Sequence, residues 1–274
     1  MNDKAFEMLS RAVLGAILVV SIFPFYWMLI NSLKDDMSIF NDPIGLPAEA
    51  LFVNYLTAWT QGDLGHALIN SLIVTGSSVA IIVVTGALAA YPLARMRFVG
   101  RSWFLALFTA GLIVAQEIVL IPLFDMFSHL GLLNTLWSVI LTNSSFGLPL
   151  TIFLFWQFFR ELPLELEEAA RIDGCDSFSL LWRILLPLSR PVVGSVIILE
   201  GLFSWNEYLF ALTFLRNQGG KTLPVQLQVF FSEHTTNWSL LFAALVTVTL
   251  PIILLYLAMQ RSFVKGLTAG AVKG

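Results

Sequence analysis

Four stretches of this chain contain no Asp, Glu, Lys or Arg: residues 12–33, 64–94, 126–159 and 234–260. Each exceeds the ~20 residues that an α-helix needs to cross about 30 Å of hydrocarbon. Two further apolar stretches are long enough but hold acids, Glu117 in 102–124 and Glu200 and Glu207 in 192–215. Inside lipid every backbone amide must be paired within the chain, so all six segments predict helices. The pattern therefore predicts an all-α membrane protein, a single transmembrane domain over 1–274. Its spans fall at about 12–33, 66–93, 102–124, 132–159, 192–215 and 239–260. The segments left over include a polar loop, 160–191, and a short tail, 261–274.

Composition agrees and narrows the field. The 274 residues are 57% hydrophobic and 12% charged, with a mean hydropathy of +0.82. Soluble domains carry about 25% charged residues, and disordered chains pair low hydrophobicity with high net charge. Neither description fits. One cysteine, Cys175, excludes an internal disulfide framework and a thiolate metal cluster. A net charge of −3 offers no basic excess to hold a nucleic acid, so the partner implied at this level is the lipid bilayer.

The charges that remain are unevenly placed. Counting loops alternately from the N-terminus, twelve of the fifteen Lys and Arg residues fall in one set, among them Arg11, Arg95, Arg97, Arg101, Arg160, Arg171, Arg183, Arg190 and Arg261. The other set holds only Lys34, Arg216 and Lys221, while segment 34–65 carries Asp35, Asp36, Asp42, Glu49 and Asp63. The excess of basic residues predicts both termini on the cytoplasmic side. The first run is too long for a secretory core and predicts an uncleaved anchor. Pro24, Pro92, Pro122, Pro149 and Pro251 lie in or at the ends of spans and predict kinks.

Loop 160–191 is patterned rather than merely polar. Pro163 suits a helix start, and Glu165, Glu167 and Glu168 complement the positive end of a helix dipole. Leu164, Glu168 and Ile172 recur on one face, with Ala169 beside them. Asp173-Gly174 predicts a stop through left-handed backbone. Ser177 is placed to cap a second helix running through Leu186, ended by Pro187 and Pro191. Small residues Ala169, Ala170 and Gly174 leave room for another surface to approach closely.

Those residues carry a resemblance. Glu168-Ala169-Ala170, then Asp173-Gly174, then Ile184-Leu185-Leu186-Pro187-Leu188 and Pro191 resemble the EAA loop of ATP-binding-cassette importer permeases. Cys175 stands where that pattern usually has alanine. Asn70-Ser71-Leu72, Ala89 to Arg95, Ile121-Pro122-Leu123, Gly131 to Thr135, Trp205-Asn206-Glu207-Tyr208 and the tail Gly266 to Gly274 are similar to carbohydrate permeases of the maltose-transporter type. The likeness runs from about residue 66 to the end. It implies the type I importer permease fold in a bacterial cytoplasmic membrane. It also implies a second, sister permease around a shared pathway, two ATPase subunits, an extracytoplasmic solute-binding protein and a sugar substrate. By this resemblance Glu168, Ala169, Ala170, Asp173 and Gly174 form the ATPase-coupling site, the tail reaches the ATPases, and loop 216–238 meets the binding protein. ATP and magnesium would sit on the ATPase subunits, with no cofactor on this chain and no enzymatic activity of its own.

Weaker signals point nowhere specific. Gly219-Gly220-Lys221-Thr222 lacks the earlier glycine of a phosphate-binding loop, since Leu215 stands there. His66, His129 and His234 lack the spacing of a zinc site. The intramembrane acids count for more, because a carboxylate in a span turns toward a polar cavity or a partner. Glu117, Glu200, Asn206 and Glu207 are therefore candidates for the pathway or the subunit interface. Glu200 and Glu207, seven residues apart, would share roughly one face of a continuous helix. An ion-coupled transporter using Glu117, Glu200 and Glu207 is the alternative that these acids raise.

Overall fold

Long runs without competing polar side chains become long helices, since each amide then finds its partner four residues back. The computed structural model describes residues 3–231 and 236–269. Helices α1 (Asp3–Asn31), α2 (Asp36–Asn41), α3 (Val53–Gln61) and α4 (Leu64–Arg95) come first. They are followed by α5 (Arg101–Ala110), α6 (Gln116–His129), α7 (Leu136–Glu161) and α8 (Glu165–Ile172). Helix α9 (Ser177–Leu188) contains a π-helical turn at Leu181–Leu185. Helices α10 (Arg190–Trp205), α11 (Leu209–Phe214) and α12 (Trp238–Ala269) complete the set used below. Among the described residues the β-type pairing is an isolated bridge, Phe231 with Thr236.

Among the described residues four helical segments are long and apolar enough to cross a membrane: Glu7–Asn31, Leu64–Arg95, Leu136–Glu161 and Trp238–Ala258. The number rises to six if two bent pairs each count as one span. Segment 102–124, expected as one helix, is such a pair. Helices α5 and α6 meet at 100°, because Val114 and Ala115 adopt extended backbone after the turn Gly111–Ile113. Pro122 lies inside α6 rather than at the break. Segment 192–215 is also interrupted. Helix α10 stops at Trp205, where the Asn206 side chain donates to the Leu202 carbonyl at 2.8 Å, and the chain becomes helical again only at Leu209. Polar side chains that bond nearby backbone offer an alternative to continuing the helix. At its other end α10 meets α9 at 77°.

The described chain forms two compact units, the first comprising 1–65 and 226–250, the second 66–225 and 251–274. In the first, the buried Asn54 amide donates to the carbonyls of Ser32 and Lys34 at 3.0 and 2.9 Å. The Ser239 amide donates to Asp36 at 2.8 Å, and Trp27 meets Phe242 edge to face.

In the second unit α7 is the central helix. Its buried positions run from Ser138 to Phe159 and include Thr142, Asn143, Ser144 and Thr151. Two glycines let neighbours close on it. A Cβ at Gly86 of α4 would lie 2.5 Å from the Thr151 methyl, and one at Gly147 would strike the Glu200 carboxylate of α10 and the Ile82 side chain of α4. Phe155 and Phe159 stack at 5.6 Å inside a core that also takes in Ala90, Leu93, Ala170, Leu180, Leu181 and Leu185. That core ties loop 160–191 to the helices.

Candidate functional site

The loop helix α8 is short and strongly two-sided. Leu164, Glu168, Ala169 and Ile172 are exposed, Ile172 to 86%, whereas Glu167 and Ala170 are buried. Successive helical residues project about 100° apart, so Glu167 can turn inward while Glu168 next to it stays exposed. Three acids in the first turn and Arg171 in the last match the helix dipole.

The stop at Asp173-Gly174 has a defined geometry. Asp173 is the C-cap and Gly174 takes φ +81°. The Cys175 amide donates to the Ala170 carbonyl at 2.9 Å and the Gly174 amide to Arg171 at 3.1 Å. This pair of bonds is the Schellman arrangement, which calls for a residue at ease in left-handed backbone. A Cβ at Gly174 would meet nothing within 4 Å, so glycine is needed there for its conformation and not for space. The turn directs Cys175 back into the core beside Ala170.

The next helix starts one residue earlier than expected. Asp176, not Ser177, is the N-cap, its carboxylate accepting from the Ser179 amide at 3.1 Å. The Ser179 hydroxyl and then its amide hold the Asp176 carboxyl below its ordinary value. Leu180, Leu181 and Leu185 enter the core, while Phe178 is left exposed.

The inner face of α8 carries a feature that sequence reasoning missed. Arg95, the last residue of α4, forms an ion pair with Glu167 at 2.8 Å, both side chains only 6% exposed and the alignment short of a hydrogen bond. The same guanidinium donates to the carbonyl of Leu162, the C-cap of α7. One turn away, the Trp156 indole N–H donates to the Leu93 carbonyl at 3.1 Å, and the Arg160 guanidinium covers the Trp156 ring at 4.8 Å. Arg95 reads as an orientation charge and Glu167 as a dipole partner, so nothing in the sequence pairs them. A usable signal is that Glu167 shares a face with buried Ala170, three residues on.

Of the residues expected to form the coupling site, Glu168, Ala169, Asp173 and Gly174 lie together on the exposed side of the loop. Ala170 does not join them; it faces the protein's own core. The tail residues 266–269 continue α12, while 270–274 lie outside the described residues, as does His234.

The intramembrane candidates sit on different elements. Glu117 is exposed in the first turn of α6, just past the bend. Glu200 is buried on α10 against Gly147 of α7. Nearby, the Asn143 amide donates to the Ser204 hydroxyl at 2.9 Å, leaving the Asn143 carbonyl oxygen unpaired. Glu207 is not on the helix of Glu200, because α10 ends between them. Its two carboxylate oxygens accept the amides of Phe210 at 2.6 Å and Ala211 at 2.9 Å, capping α11. Asn206 is exposed at the C-cap of α10. Among the described residues no three His, Cys, Asp or Glu side chains come together in a way that could hold a metal ion.

Residues 82–269, which include α8 and most of the second unit, match the family model described as binding-protein-dependent transport system inner membrane component. The melibiose/raffinose/stachyose import permease protein MelC of Bacillus subtilis (strain 168) is 38% identical over 264 residues, covering 96% of this chain and 95% of that protein. The diacetylchitobiose uptake system permease protein NgcG of Streptomyces coelicolor is 34% identical over 274 residues, 99% of this chain and 91% of that one. Among solved structures, a chain of a bacterial ABC transporter involved in the import of the acidic polysaccharide alginate superposes with a TM-score of 0.83. It is 22% identical, with 95% and 97% of the two chains covered, and shows the fold.

Proposed function

Because the chain belongs to the family of binding-protein-dependent transport system inner membrane components, we propose that it is the permease subunit through which an ATP-driven importer admits a carbohydrate. It is a transport component and not an enzyme, with ATP hydrolysis carried by separate subunits. The proposal adds a sister permease lining a shared pathway, an inner-membrane location with both termini cytoplasmic, and six spans counted by taking each bent pair as one.

The observation that carries the reading is the split character of α8. A helix fastened on one side by a buried ion pair and presenting Leu164, Glu168, Ala169 and Ile172 on the other is built to meet a second protein. Exposed Ile172 and Phe178 offer apolar anchors there, and Glu168 and Asp173 offer charge. Under this reading Glu168, Ala169, Asp173 and Gly174 contact the ATPase, and Ala170 holds α8 to its own chain. Sugar as the cargo is supported by what the similar permeases are named for. The ion-coupled alternative has no support from the family or from the similar permeases, which are binding-protein-dependent transport components.

The test is uptake in proteoliposomes holding this chain, the sister permease and the ATPases, with the binding protein outside. Melibiose, raffinose and diacetylchitobiose make a first panel. Accumulation that requires both ATP and binding protein is expected. Uptake by this chain alone, driven by a proton or sodium gradient, would overturn the reading.

A further inference from the structure

We infer that the Arg95–Glu167 pair is the linkage that makes α8 move as one body with the ends of α4 and α7, which makes both side chains positioning residues for transport. The inference rests on the reading of α8 as the ATPase-docking helix.

The geometry is specific. One guanidinium touches three elements: it ends α4, it binds the carbonyl that caps α7, and it reaches the first turn of α8. Between α7 and α8 lie only Leu162, Pro163 and Leu164. The far end of α8 is held separately, by the Schellman turn and by Ala170 and Cys175 in the core. A load applied at Glu168 or Ile172 on the outer face would therefore roll α8 about its axis unless the first turn is fastened. Apolar packing is non-directional and permits such a roll. A charge pair in a dry setting, where its attraction is weakly screened, favours one azimuth of the helix.

The chemistry also explains why adjacent glutamates are not equivalent. Glu168 faces outward, exposed, and is free to meet a partner. Glu167 is spent internally, and its burial against Arg95 sets the direction in which Glu168 points.

The experiment uses the complete importer in nanodiscs, with Cys175→Ala as background and spin labels at Val99→Cys and Ile172→Cys, both highly exposed sites. The distance between labels is measured without nucleotide and after trapping with ATP and vanadate. With the native pair, one narrow distribution is expected in both states. Glu167→Gln should broaden it and make it shift with nucleotide. Since the single change strands a buried Arg, the decisive variant is the double one, Arg95→Met with Glu167→Leu, whose apolar replacement preserves packing. It should assemble and unfold at an unchanged temperature, yet lose the constant distance. A double variant whose distance stays constant overturns the inference, and so does one that fails to assemble, since the pair would then act in folding. An importer with the native pair that hydrolyses no ATP overturns the functional reading instead.

Discussion

Helices α1 and α7 would be ranked in the wrong order by hydropathy alone. The span within α1 has the higher mean hydropathy, 2.3 against 1.5, yet it is 6% buried within the chain, whereas the span of α7 is 61% buried. Among the residues that lower the figure for α7, Ser138, Thr142, Asn143, Ser144 and Thr151 are buried. In lipid the outside of a protein is as apolar as its inside, so apolar surface does not drive helices together. Close packing and interhelical hydrogen bonds decide which helix is central. Gly86 and Gly147 supply the first, and Asn143 to Ser204 supplies the second. The lesson is that hydropathy does not rank these helices by burial, and that the less hydrophobic α7 is the core of its unit.

The sharpest test of that contrast lies where α7 meets α4 and α8. Replacing Arg95 alone by Met leaves Glu167 buried and unpaired, with an expected loss of about 3–5 kcal/mol, read as a collapse of thermal stability in detergent. Next comes the contrast between glycines. Gly147→Leu should cost about 1–3 kcal/mol through overpacking against Glu200 and Ile82. Gly15→Leu on α1, where a Cβ meets nothing within 4 Å, should leave the melting temperature within error. Equal effects at the two positions would break the comparison. A smaller loss, about 1 kcal/mol, is expected for Gly174→Ala, from left-handed backbone rather than crowding.

The smallest effect is a pH dependence confined to the loop. The Asp176 carboxyl is held below its ordinary value of 3.8 by Ser179. Its capping contribution is therefore complete above that value and is lost as pH falls through the lowered one. Asp176→Asn should be slightly less stable than the parent at neutral pH, and the gap should close below pH 3.8. A gap that persists in acid would deny the charge any part in the cap.

Much of this was legible beforehand, for reasons that can be stated. Charge-free runs mark helices because lipid tolerates few alternatives, and Asp173-Gly174 marks a helix end because few residues accept its backbone. The breaks were harder to see. Nothing in 102–124 announces that Val114 and Ala115 turn extended, and the stop at Trp205 depends on Asn206 and Glu207 bonding the backbone locally. Pairing was the least visible of all. Arg95 and Glu167 are seventy-two positions apart, and periodicity describes one helix at a time. The candidate residues of the loop can be grouped by motif, yet only the fold separates Ala170, turned inward, from Ala169, turned out.

The alternation of Glu167 and Glu168 on α8 has a consequence for how such a subunit tolerates change. Its inner and outer faces are written in the same short stretch, Leu164 to Ile172, and differ only in phase. Deleting or adding one residue ahead of Glu167 would rotate the whole script by about 100°, presenting the wrong acid to each side even though the composition hardly changes. Substitutions at Leu164, Glu168 and Ile172 leave the phase intact. If α8 docks on the ATPase as proposed, an exchange confined to those outer letters is the route by which one permease could be re-addressed to a different motor subunit while its inner grammar is left alone.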